Sequence, residues 1–140
     1  MRPTVEQLGS APLFASLNAD ELKAIASLSE LREEAPGTRL VGEGAPGHAL
    51  FVLLEGTAAV TVGHRLRQPL GPGDFFGEIA LLGGGGVRTA SVIATSPITL
   101  AVMSGSDFVV FERDMPKAAE ILRDAMRERL ARGDGLEGES

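Results

Sequence analysis

Phe75-Phe76-Gly77-Glu78-Ile79-Ala80-Leu81-Leu82-Gly83-Gly84-Gly85-Gly86-Val87-Arg88-Thr89-Ala90-Ser91-Val92 is the stretch on which fold and function turn. Gly77 and Glu78 open a helix-compatible turn over residues 78–82. A helix start presents free backbone N–H groups and a partial positive charge, an arrangement that receives anions. Glycine at 77 lets a ligand approach the backbone closely. Four glycines follow, then one arginine, then a strand rich in Thr and Ser. Arg88 is the only basic residue between Arg67 and Arg113. Its planar fork grips a phosphate through two parallel hydrogen bonds, and among apolar neighbours it would be costly to bury unpaired. Glu78 adds an acceptor for a sugar hydroxyl. A bare phosphate has little use for a carboxylate beside it, whereas a ribose phosphate does. Together these residues describe a pocket for one sugar phosphate.

The whole-chain charge makes that local device necessary. Net charge is -6, a field that repels anions. No basic stripe precedes the last helix, so direct nucleic-acid binding is not expected. The basic residues Lys117, Arg123, Arg127, Arg129 and Arg132 alternate with acids and read as a solvated helix face. Cysteine is absent, which excludes disulfides, thiolate metal sites and cysteine nucleophiles. There is no run of 18 apolar residues to span a membrane, and Met1-Arg2-Pro3-Thr4 lacks a secretory apolar stretch. The expected location is the cytoplasm.

Outward from the stretch, residues 38–104 break into short apolar or alternating runs: Thr38–Val41, His48–Leu54, Thr57–Val62, Leu66–Leu70, Thr89–Ala94 and Ile98–Met103. Gly and Pro separate them at Pro36-Gly37, Gly42-Glu43-Gly44, Pro46-Gly47, Glu55-Gly56, Gly71-Pro72-Gly73 and Ser96-Pro97. This punctuation predicts an antiparallel barrel or sandwich. Phe51-Val52-Leu53-Leu54 is a continuous run, suited to a strand covered on both faces. Residues 3–34 read as helical, with Asn18 as N-cap and Glu21 completing a capping box, and Leu13-Phe14 placed to pack back. After the strands, Ser106 is expected to cap a short helix holding Phe108, Val109 and Phe111. Pro116 opens the first turn of a second helix, and Gly133 stops it. The chain of 140 residues with 44% apolar content suits one domain, 1–132. The Gly- and acid-rich tail 133–140 is expected to be disordered.

At these residues the chain resembles the cyclic-nucleotide-binding domain family, whose phosphate-binding cassette reads approximately F-G-E-[LIM]-[AGC]-L, a variable loop, then R-[STA]-A-[ST]-V. Here it stands as Phe76-Gly77-Glu78-Ile79-Ala80-Leu81, loop 82–87, then Arg88-Thr89-Ala90-Ser91-Val92. Pro12-Leu13-Phe14 with Leu17 and Leu22, Pro36-Gly37…Val41…Glu43-Gly44, Leu50-Phe51-Val52-Leu53…Gly56 and Gly71-Pro72-Gly73-Asp74-Phe75 extend the likeness over residues 8–132. The resemblance implies an α+β fold: a jelly-roll-like antiparallel β-barrel of about eight strands, with an N-terminal helix, a short helix in the phosphate cassette and two C-terminal helices. It implies ligand contacts from the backbone of Gly77, Ile79 and Ala80, a ribose 2′-hydroxyl accepted by Glu78, and the cyclic phosphate held by Arg88. Thr89 would add a hydroxyl to the phosphate or the base edge. The last helix would swing over the base, capped by Met126, Arg129 or Leu130.

The expected function follows from that likeness. The chain would sense cAMP or cGMP, with cAMP favoured, through movement of its C-terminal helix, without cofactor, metal or catalysis. The effector it signals to is not named by these residues. The run Gly83–Gly86 departs from many family members, and ordering it costs roughly 1–2 kcal/mol per residue at most. No DNA-reading helix-turn-helix, channel helix or kinase-inhibitor segment stands in these 140 residues. Two other readings compete. A cupin-like metalloenzyme needs clustered His and carboxylate ligands, but His48 and His64 are the only histidines and lie apart. A degenerate, ligandless barrel acting as a protein-interaction module is the other; such members usually lack the Arg or the Glu, and both stand here.

Overall fold

The structure is a computed structural model that describes residues 1–41, 49–63, 65–67, 69–77 and 90–131, the last three without their side chains. Its elements are α1 (Val5–Gly9), a 3-10 turn (Pro12–Phe14), α2 (Ala19–Leu28), β1 (Glu30–Glu34), β2 (Arg39–Val41), β3 (Ala49–Glu55), β4 (Ala58–Val62), β5 (Arg65–Leu66), β6 (Phe75–Phe76), β7 (Ser91–Ala94), β8 (Ile98–Ser104), α3 (Gly105–Asp114) and α4 (Pro116–Ala131). Local chemistry explains several boundaries. Asn18 caps α2: Glu21 N–H donates to Asn18 Oδ1 at 2.9 Å, and Asn18 N–H donates to Glu21 Oε1 at 2.8 Å. Thr4 and Gln7 build a second reciprocal cap on α1. The helix after β8 is capped by Ser104 rather than Ser106, because Ser104 is the residue in extended conformation and its Oγ accepts from Asp107 N–H at 3.1 Å. Ser106 lies within the first turn, with its hydroxyl 3.2 Å from that of Ser104.

The helical reading of residues 3–34 fails at its end. Ser29 turns extended (φ -108°, ψ 155°) and its hydroxyl donates back to Ile25 O at 2.7 Å. Residues 30–34 then pair along their whole length with β8, Leu31 opposite Ala101. Glu, Leu and Arg are good helix formers in isolation, but tertiary pairing overrides so weak a preference. Four charged residues suit this strand to the edge of its sheet, where charge discourages pairing with foreign strands.

Eight strands form two four-stranded antiparallel sheets, ordered β1-β8-β3-β6 and β2-β7-β4-β5. The described ladders make two facing sheets rather than one closed ring, the jelly-roll form of the expected barrel. Period-two alternation sorts β3 onto two cores. Leu50, Val52 and Leu54 join Phe75, Ala101 and Met103 under the helices. Phe51 and Leu53 point the other way, with Phe76, Ile98 and Leu100, onto Leu40, Ala58, Val60, Val92 and Ala94 of the second sheet. The molecule is therefore three layers: helices, then β1-β8-β3-β6, then β2-β7-β4-β5. The middle layer is covered on both sides, as the unbroken run Phe51–Leu54 anticipates.

The turn before β6 aims the chain at the functional stretch. Gly71-Pro72-Gly73-Asp74 is a type II turn, with Pro at its second position and Gly73 at φ +94°. Asp74 N–H donates to Gly71 O at 3.1 Å, and Asp74 Oδ2 accepts from Gly71 N–H at 2.8 Å. A Cβ on Gly73 would stand 2.9 Å from Pro12 Cδ. Gly73→Ala is expected to lower stability by about 1–3 kcal/mol through backbone strain, read as a drop of about 3–12 °C in Tm. An unchanged Tm would contradict this account of the turn.

Candidate functional site

The candidate site is built on what flanks segment 78–89. On one side, β6 pairs with β3 through Phe76 opposite Phe51 and Phe75 opposite Val52. The rings of Phe51 and Phe76 stack at 4.9 Å and 4°. Phe76 is buried, so the last residue before the segment is clamped in the core. Gly77 follows at φ +84°, in the left-handed region where a side chain is strained and glycine is not. Gly77, the residue expected to approach the ligand, is itself buried at the end of β6. On the other side, Ala90 is buried beside β7, which pairs with β2 and β4.

Phe76 and Ala90 belong to one buried cluster between the sheets, yet their strands belong to different sheets. The two flanks of segment 78–89 therefore lie on different sheets and are fixed in the same core. At one end of the sandwich Val41, Ala49, Val62 and Val102 are only partly buried against the cluster. The registers agree: Val102 pairs with Phe51, Val41 with Val92, and Thr61, next to Val62, with Ser91. Four strands contribute one small apolar side chain each to this end of the sandwich, its mouth. Apolar side chains of this kind can receive a flat ring or a sugar face.

Sequence reasoning did not single out these four residues. The signal was there in part: Val41 and Val62 are the last apolar residues of their strands before Gly42 and Gly63. Of the expected site residues, Gly77 is buried beside Phe76, whose partner Phe51 pairs with Val102. Glu78, Ile79, Ala80, Arg88 and Thr89 lie outside the described residues, as do the cassette helix, His48, His64 and the tail 133–140. Arg129 and Leu130 stand in the last turns of α4, and their side chains are likewise not described. Met126 is fully buried in the helical cluster with Phe108, Phe111 and Leu122. From that position it meets a base only if α4 shifts.

Among the described residues no group of three or more His, Asp or Glu is arranged to hold a metal ion, and no helix is long and apolar enough to cross a membrane.

Residues 31–113 match a family model described as cyclic nucleotide-binding domain. A cAMP-dependent protein kinase regulatory subunit of Hypocrea atroviridis is 39% identical over 101 residues, covering 72% of this chain and 22% of that protein. A cyclic nucleotide-gated potassium channel of Mesorhizobium japonicum is 33% identical over 122 residues, covering 87% of this chain and 34% of the channel. The chain spans about a fifth to a third of the length of these curated relatives. Among solved structures, the Thermus thermophilus catabolite activator protein superposes with a TM-score of 0.78 at 29% identity, covering 89% of this chain and 60% of that one.

Proposed function

The chain belongs to the cyclic nucleotide-binding domain family, and from that premise we propose that it captures a cyclic nucleotide monophosphate, cAMP in preference to cGMP, as a regulatory sensor. One observation carries the reading: the chain enters segment 78–89 through a left-handed Gly77, and the flanking Phe76 and Ala90 are buried in one core. In this proposal the backbone of Gly77, Ile79 and Ala80 meets the sugar phosphate. Glu78 accepts from the ribose hydroxyl, Arg88 neutralises the phosphate, and Thr89 adds a hydroxyl. The mouth formed by Val41, Ala49, Val62 and Val102 receives the apolar faces of the ligand. The name of the fungal kinase subunit supports cAMP as the first ligand to try.

Occupancy is proposed to shift a population rather than to drive chemistry. Capture of the phosphate draws segment 78–89 inward, repacks Phe108, Phe111 and Leu122, and brings α4 over the base with Arg129 or Leu130 as the cap. Met126 then serves as a cap only by leaving its buried seat. An effector protein or domain would read the position of α4.

Calorimetric titration of cAMP and cGMP into the chain tests the ligand. Micromolar or tighter binding of cAMP supports the sensor. No heat and no thermal shift at millimolar nucleotide would overturn it in favour of a ligandless interaction module.

A further inference from the structure

The two C-terminal helices meet at an elbow. Met115 leaves helical geometry (φ -137°, ψ 68°) because the ring of Pro116 excludes the helical region at the residue before it. Main-chain bonds persist on both sides, from Met115 N–H to Phe111 O at 2.7 Å and from Ala119 N–H to Met115 O at 3.0 Å. Phe108 and Phe111 of α3 share one buried cluster with Ala118, Ala119, Leu122 and Met126 of α4. Apolar packing is non-directional, so a polar contact across the elbow adds a restraint of a different kind.

One side chain is directional. Arg123, in the second turn of α4, forms an ion pair with Glu112 near the end of α3. The same guanidinium lies 5.1 Å from the centroid of the Phe108 ring, one turn back along α3. Glu112 and Phe108 are four residues apart and so share a helix face. The pair is half-buried, with side chains 26% and 37% exposed, unlike the exposed pairs Arg113–Asp114 and Arg127–Asp124. A planar guanidinium held at its edge by a carboxylate and at its face by a ring resists both sliding and rotation. The core holds Phe108 from one side and Arg123 holds it from the other.

The path from the mouth to this clamp is short. Val102 faces the mouth, and Ser104, two residues on, caps α3. We propose that Arg123 is a positioning residue that locks α3 and α4 into one lever, so that displacement of α3 at the mouth is carried into α4. This deepens the proposed function and rests on its reading of α4 as the element that responds to nucleotide. Arg123 acts through Glu112 and Phe108 and need not touch the ligand.

Hydrogen exchange of residues 116–131, with and without saturating cAMP, reads the coupling. It is measured on the full chain as wild type, Arg123→Gln, Glu112→Gln and the double variant. In wild type cAMP is expected to slow exchange about 5-fold or more, the low end of ordinary site-to-site coupling. In Arg123→Gln the slowing falls below about 2-fold on that scale, Glu112→Gln gives an intermediate value, and the double variant is no worse than Arg123→Gln. Such non-additivity marks one shared contact. Full slowing in Arg123→Gln, or losses that add in the double variant, would overturn the clamp. Glu112→Gln keeps the test open should Arg123→Gln fold poorly. A wild type that binds cAMP without slowing would instead refute the role of α4, and one that does not bind would refute the sensor itself.

Discussion

Arg88→Ala is expected to weaken cyclic nucleotide binding by roughly 30- to 5,000-fold, because removing one partner of a desolvated charge pair costs about 2–5 kcal/mol. The size follows from charge scarcity. The chain carries a net charge of -6, and no other basic residue lies between Arg67 and Arg113. No neighbouring cation in this stretch can take over the phosphate, and the overall field works against it. Arg88→Lys is expected to fall between the two, since lysine keeps the charge but loses the planar fork. Calorimetry on the three proteins measures the ranking, with Tm of the free proteins as control. An alanine variant that binds within about threefold of wild type, well under the tenfold that 1.4 kcal/mol represents, would remove Arg88 from the site.

The second large effect lies in the core. Phe76→Ala is expected to destabilise the fold by about 3–5 kcal/mol, the usual cost of deleting a buried aromatic ring. That is a large part of the roughly 5–15 kcal/mol that holds a domain folded, and it corresponds to a fall of roughly 10–20 °C in Tm. Phe76 is 1% exposed and stacks on Phe51 at 4.9 Å. It is also the last residue before Gly77, so the cavity opens beneath the start of the binding segment. Affinity for cAMP should weaken along with stability, and Phe76→Leu should recover most of both. Denaturant unfolding monitored through the midpoint, with the slope unchanged, measures the first effect. A loss below about 1 kcal/mol would mean that the core closes over the gap, contrary to the tight packing inferred here.

Legibility in the sequence followed the range of the interactions concerned. Asn18 and Glu21 cap a helix through atoms three residues apart, and that pattern is readable from the letters alone. The type II turn at Gly71–Asp74 is local in the same way. Strand β1 was not legible, because Glu30–Glu34 carries no strand pattern of its own and becomes a strand only by lying along β8, some 70 residues away. The mouth was missed for a related reason. Val41, Ala49, Val62 and Val102 are ordinary strand residues until pairing assembles them at one end of the sandwich. Ser104 was passed over for Ser106 because either serine can cap, and only the backbone conformation distinguishes them.

The order of strands bears on how the chain is made. β8 is the sole partner of β1, and β7 the sole partner of β2, among the described ladders. Both late strands lie in the interior of their sheets, between elements synthesised much earlier. While a nascent chain emerges, β3 can find β6 and β4 can find β5, but β1 and β2 must wait until residues 91–104 have cleared the ribosome. Until then the backbones of β1 and β2 lack their strand partners, and such unpaired edges expose folding intermediates to aggregation and to chaperones. Closing such distant pairs also slows folding itself. A chain truncated before Ile98 would lack β8, which joins β1 to β3 in the middle layer.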